Sequence, residues 1–154
     1  MKIHIIDPYI GQLHLTPTEW ANEASMTFNM SERVADIAGE AFDVYEWYDG
    51  WRSKNNITDL SKPTHLRVVA IDEFTALIPW GQLNQAAMQF AINGEKLSKG
   101  YPIRLYVPNG SSDCLNVKGV VRVELLYDSK LGNDATYGFK NEIKLEDMIL
   151  QKGE

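Results

Sequence analysis

Cysteine is almost absent from this chain, histidine is scarce, and no long apolar run is free of charge. The single thiol, Cys114, cannot close an internal disulfide, which fits a reducing compartment. The three histidines, His4, His14 and His65, fall in separate segments with no i, i+2 or i, i+4 spacing and no cysteine beside them. They read as surface or core side chains rather than metal ligands. No stretch of about 18 uncharged apolar residues exists, so no membrane span is expected. The opening MKIHIIDPYIG breaks its apolar run at Asp7 and Pro8, too early for a secretory core. Basic excess is missing too. The 15 Lys+Arg stand against 21 Asp+Glu, and a formal net charge of -6 repels polyanions at long range. Nucleic acid and membrane are therefore not expected partners, a small molecule remains open as one, and the expected location is cytoplasmic. Gly-x-Ser-x-Gly, a phosphate loop, His-Glu-x-x-His, Cys-x-x-Cys and a calcium loop are all missing, as are repeats and heptads.

What is present is a 154-residue chain with 44% hydrophobic residues, enough for one continuous core and a single domain over 1–154. Lys2 to Ile6 and Gln12 to Leu15 read as short strands. Thr16, Pro17 and Glu19 meet the rules for a helix start, predicting a helix from Pro17 to about Ala24. Met26 to Met30 alternates and is expected as a strand with Met26, Phe28 and Met30 inward. Ser31 is expected to cap a second helix carrying Val34, Ile37, Ala38 and Phe42 on one stripe and ending by Ala41. From Asp43 to Lys62 no period is evident, and a long loop or irregular hairpin is expected. Leu66 to Ile71 and Phe74 to Ile78 form a strand pair around Asp72-Glu73, and Trp80 to Gln85 suits one helical turn. Ala87 to Ile92 returns through Asn93-Gly94 as Glu95 to Leu97. Two more strands, Ile103 to Val107 and Val117 to Leu126, flank a turn-rich segment. An amphipathic run from Ile143 to Leu150 is expected on a sheet edge. The fold class is α+β, with a mixed, largely antiparallel sheet and a few short helices.

Two segments hold candidate chemistry. The run Tyr45-Glu46-Trp47-Tyr48-Asp49-Gly50-Trp51-Arg52 gathers four large rings and a cation. Tyr45, Trp47 and Trp51 are candidates for a flat-ligand platform with Arg52 as an anion contact; the alternative is that the rings pin a loop to the core. Cys114 has Asp113 beside it, which opposes thiolate formation, and reads as an inert cysteine.

The order of four further segments carries a family resemblance. Leu66 to Pro79 gives a strand pair ending in Ile-Pro, Ala91-Ile92-Asn93-Gly94-Glu95-Lys96-Leu97 a tight hairpin, Gly100-Tyr101-Pro102-Ile103-Arg104-Leu105-Tyr106-Val107-Pro108 a strand, and Val117-Lys118-Gly119-Val120-Val121-Arg122-Val123 another. This order resembles the sulfite-oxidase-type oxidoreductase molybdopterin-binding domain. The resemblance implies that fold, molybdopterin as a cofactor, and Arg104 and Lys118 as its contacts near the phosphate. It also implies that a catalytic member carries a molybdenum-ligating cysteine early in the domain, where this chain has none, and that Gly119 replaces a bulkier residue. The expectation is a molybdopterin-binding oxidoreductase-like protein without assured catalysis; the alternative is a cofactor-free module for a small molecule or protein on the same fold.

Overall fold

The computed structural model describes residues 1–139, and the expected run from Ile143 to Leu150 lies outside them. Eleven strands and two α-helices make the described part an α+β structure with two sheets. The first sheet has the order β11-β6-β5-β10-β1-β2, with β1 at Ile3–Asp7, β2 at Gly11–Leu15, β5 at His65–Ala70, β6 at Phe74–Pro79, β10 at Val120–Leu126 and β11 at Thr136–Phe139. Only the β1–β10 pair is parallel, and the remaining pairs of this sheet are antiparallel. The second sheet joins β3 (Phe28–Asn29), β4 (Glu40–Asp43), β7 (Ala87–Ile92), β8 (Glu95–Lys96) and β9 (Arg104–Tyr106), with β7 bonded to β4 on one edge and to β8 and β9 on the other.

Alternation explains how both sheets share one core. On β1, β5 and β10 the residues Ile3, Ile5, Leu66, Val68, Val123 and Leu125 point inward and are buried, and from the second sheet Phe42, Met88 and Leu105 meet them. The alternate residues of the second sheet, Ala41, Ala87 and Tyr106, build a smaller cluster on its other face with Met30, Phe28, Val34 and Ile37. Among the described residues no helix is long and apolar enough to cross a membrane.

Helix α1 spans Pro17–Glu23 and begins as its sequence requires. Thr16 Oγ1 accepts from Glu19 N at 3.2 Å while Glu19 Oε1 accepts from Thr16 N at 2.9 Å, closing a capping box. The β7–β8 hairpin turns through Asn93 and Gly94 with φ of 51° and 77°, the left-handed pair that this dipeptide favours.

Three expectations are corrected. The helix expected from Ser31 is a short 3-10 turn at Met30–Glu32 capped by Asn29, and the chain then leaves helical geometry at Asp36, whose φ is 68°. Gln89 Nε2 donates to Ala38 O at 2.6 Å and ties this segment to β7, so Val34 and Ile37 bury themselves from a loop and Phe42 does so from a strand. Of the three inward residues expected at 26–30, Met26 is instead 63% exposed, because the strand is only two residues long. The region expected as loop from Asp43 contains helix α2, Val44–Lys54. Its Asp43 side chain caps Glu46 N at 2.8 Å, and Val44, Trp47, Tyr48 and Trp51 recur at the spacing of one helical face.

Candidate functional site

Helix α2 carries the aromatic candidates and turns most of them into the main core. Trp47 and Trp51 stack on each other at 5.3 Å between centroids, Trp47 also meets Trp20 edge-on at 5.1 Å, and Trp51 is only 8% exposed. Tyr45 leans on the Trp80 ring at 4.9 Å and its hydroxyl donates to the Trp80 carbonyl. Arg52, 7% exposed, spends its guanidinium on the loop that follows the helix: it donates to Ile57 O at 3.3 Å, to Ser61 O at 3.4 Å and to Leu60 O. A buried cation whose donors are met by carbonyls is a clasp for the 57–61 segment. The four candidates therefore lie together on one helix but do not share an open surface.

Arg104 and Lys118 are brought to one place by backbone pairing. Gly119 N donates to Gly100 O at 3.1 Å, Leu105 N to Val117 O at 2.9 Å and Val120 N to Ile103 O at 2.9 Å, so the 100–105 and 117–120 segments run side by side. The Arg104 side chain lies across Gly100, where an added Cβ would stand 2.3 Å from Cδ and 2.4 Å from Cγ; glycine is the one residue that leaves room for it, and its φ of 81° points the same way. The guanidinium then stacks over the Tyr106 ring at 5.0 Å. Lys96 sits 5.7 Å from the Tyr101 ring, and Lys99 and Lys118 are exposed beside the Gly100–Gly119 contact. Among the described residues none of Lys96, Lys99, Arg104 and Lys118 forms an ion pair, while five other basic groups do. Next to this cluster a small cleft of about 180 Å³ is bordered by Lys96, Tyr101, Phe90, Gly94 and Thr16–Thr18.

These residues meet the demands of molybdopterin in part. Two free cations suit its phosphate, since a guanidinium offers paired donors and an ammonium a point charge. A molybdenum ligand would have to come from Cys114, the chain's sole thiol, and that side chain is exposed on the 3-10 turn Asp113–Leu115. The donor set thus fits the anion and provides no enclosed thiolate.

A cluster that sequence reasoning missed lies at the β1–β2 turn. Asp7, 1% exposed, accepts from Tyr9 N at 2.8 Å and Ile10 N at 3.1 Å through one oxygen, and from Tyr127 Oη at 2.6 Å through the other, with Tyr48 Oη 3.5 Å away. The two phenols also bond to each other. Burial raises both tyrosine pKa values above the ordinary phenol, and for Tyr127 the bonds it donates to the Asp7 carboxylate and shares with Tyr48 raise it further, so both remain protonated donors. The only sequence signal was an aspartate before proline at a turn, and nothing in one dimension linked it to residues 48 and 127.

The histidines pair across space rather than along the chain. His4 and His14 are register partners on β1 and β2, and their rings stack at 4.1 Å. His4 Nδ1 faces Arg122 at 3.3 Å, and since a guanidinium only donates, that nitrogen accepts and Nε2 donates to Gln12 Oε1 at 2.7 Å. Arg122 and Arg67 share Glu124 at 3.1 and 3.4 Å, which makes the outer face of the first sheet a polar network. Among the described residues no group of three or more His, Cys, Asp or Glu side chains is placed to hold a metal ion. Comparison with known proteins adds no relative: no family model, no curated protein and no solved structure matches the chain.

Proposed function

We propose that this chain is a binding module on a sulfite-oxidase-like frame that holds a phosphate-bearing small molecule, molybdopterin in the first instance, without redox turnover at molybdenum. One observation carries the reading: four cations, Lys96, Lys99, Arg104 and Lys118, collect around the Gly100–Gly119 contact without an ion pair among the described residues, in a chain of net charge -6. Unpaired cations held beside one another raise the local potential and favour a multiply charged anion, each charge-assisted bond contributing roughly 1.5 to 3 kcal/mol. The exposed position of Cys114 is what separates binding from molybdenum catalysis in this reading.

The test is the pterin and molybdenum content of protein purified natively from a host that makes the cofactor, beside the double variant Arg104→Ala/Lys118→Ala. Native protein is expected to retain pterin and the variant to lose it. The thermal midpoint should fall little, because Lys118 is exposed and the half-buried Arg104 would lose mainly its contact with the Tyr106 ring, each worth about 0 to 1 kcal/mol. Equal retention by both proteins would refute the assignment of these two residues. Absence of pterin and molybdenum from the native protein would refute the cofactor and leave the cofactor-free module.

A further inference from the structure

Away from the four cations, a cleft of about 440 Å³ opens between the 63–65 and 79–82 segments and the 129–133 turn. We propose that this cleft binds a neutral, flat, acceptor-rich heterocycle, stacked on Trp80 and hydrogen-bonded through its ring nitrogens and carbonyl oxygens. The assignment uses none of the residues of the phosphate-binding reading and stands without it.

The platform is Trp80, and the aromatic run of α2 serves it from behind. Tyr45 supports the indole at 4.9 Å with rings 31° apart, and Tyr48 meets it edge-on at 5.1 Å. Trp80 N donates to Thr64 O at 2.8 Å, and the Trp80 carbonyl accepts from the Tyr45 hydroxyl. An indole fixed at its backbone and by two rings loses little entropy when a ligand stacks on its remaining surface. The cleft falls within the volume range of about 300 to 1,000 Å³ typical of small-molecule sites.

The ligand's chemistry follows from what the walls leave unused. No Lys, Arg, Asp or Glu lines the cleft among the described residues, so a charged ligand would lose its hydration without a counter-charge. Two of the side-chain acceptors are already engaged. Gln82 Oε1 takes Ser111 N at 2.9 Å, and Thr64 Oγ1 takes Asp128 N at 2.8 Å. His65 is fixed by Gly132 O at 2.9 Å, which obliges Nε2 to donate, and by Thr64 Oγ1 at 2.8 Å from Nδ1. Among the described residues the Trp80 indole N–H and the Gln82 amide N–H groups are left as donors only, while the Ser129 hydroxyl and the Asn133 amide are left able to donate and to accept, and the bond to Ser111 fixes which way the Gln82 amide points. Donor-only groups beside a ring favour a flat molecule that accepts over a saccharide, whose hydroxyls would have only Ser129 and Asn133 as free side-chain acceptors.

Caffeine is a suitable probe, being flat, uncharged and without a hydrogen-bond donor. With tryptophan labelled by nitrogen-15, caffeine is expected to move one indole N–H resonance saturably in the millimolar range, and Trp80→Phe, which keeps a ring in the packing, identifies it by its loss. Gln82→Ala should weaken binding about fivefold, the equivalent of one ordinary hydrogen bond. Asn133→Trp, which fills the cleft from an exposed position, should abolish binding. Arg104→Ala/Lys118→Ala should bind caffeine as the native protein does. The proposal is overturned if caffeine leaves the Trp80 resonance in place, if glucose moves it as far, or if neither Gln82→Ala nor Asn133→Trp weakens the response.

Discussion

Replacing Asp7 by alanine tests whether the buried carboxylate at the β1–β2 turn holds three parts of the fold together. Its three hydrogen bonds join the turn at Tyr9 and Ile10 to Tyr127 just beyond β10, and through the Tyr127 hydroxyl to Tyr48 on α2. A hydrogen bond to a charged group contributes about 1.5 to 3 kcal/mol, so the three bonds would sum to roughly 5 to 9 kcal/mol if they were independent. They are not. Tyr9 is exposed and water can reach the turn amides, while Tyr48 and Tyr127 keep the bond between their hydroxyls. About 3 to 5 kcal/mol should remain as the net loss. In urea, with a slope of about 2 kcal/mol/M for a chain of this size, the midpoint should fall by about 1.5 to 2.5 M. Asp7→Asn keeps an acceptor for the turn amides and sets an N–H donor against the Tyr127 hydroxyl, so it should lose about 1 to 2 kcal/mol. A midpoint shift below about 0.5 M for Asp7→Ala would refute the claim that this carboxylate ties the three parts together.

Trp51→Ala should lower stability by about 3 to 5 kcal/mol, as large truncations in a core do, and a chemical denaturation curve that overlays the native one would show that the Trp47–Trp51 stack contributes nothing. The raised pKa values of Tyr48 and Tyr127 predict the alkaline limit of the fold. The unfolded phenols ionise near pH 10 while the folded ones still hold their protons, so stability is full below that pH and falls as pH rises above it; Tyr127→Phe should flatten the decline, and an unchanged slope would count against it. Cys114→Ser should fold as the native protein does and keep any ligand binding the native protein shows, because the thiol is exposed on a turn whose cap is the Ser112 hydroxyl; loss of bound metal in the variant would make Cys114 a ligand after all.

Where adjacent residues decide the conformation, the sequence was legible. The capping box at Thr16, the Asn93-Gly94 turn and the alternation of Leu66, Val68 and Ala70 are local patterns, and the structure contains each of them within a residue or two of its expected place. The first correction came from local reasoning that was right about the burial of Val34, Ile37 and Phe42, wrong about Ala38, which is exposed, and wrong about geometry. Val34 and Ile37 do face a core, but the backbone that presents them is tied to β7 through Gln89 and closed at its ends by the bond from Met30 N to Gly39 O at 2.7 Å, contacts that override helical spacing.

The misreading of α2 has a different cause and bears directly on function. Four aromatic rings within eight residues with no evident period left two readings, a ligand platform or rings that pin a loop to the core, and both took the backbone for a loop. Yet Val44, Trp47, Tyr48 and Trp51 follow the spacing of 3, 1 and 3 residues that defines one side of a helix, and that spacing was readable. Arg52 is the residue no spacing could have settled. A guanidinium one position beyond a buried stripe serves equally well as an anion contact or as a clasp for carbonyls, and the outcome depends on where the 57–61 segment turns back. Because that segment does return, Arg52 is spent on the fold. Arg104, which lies across the side-chain-free Gly100 and pairs with no carboxylate among the described residues, has donors available for the proposed phosphate contact. The distinction between a structural cation and a functional one is therefore made by the backbone acceptors within reach, and it predicts that Arg52→Ala will cost stability where Arg104→Ala costs binding.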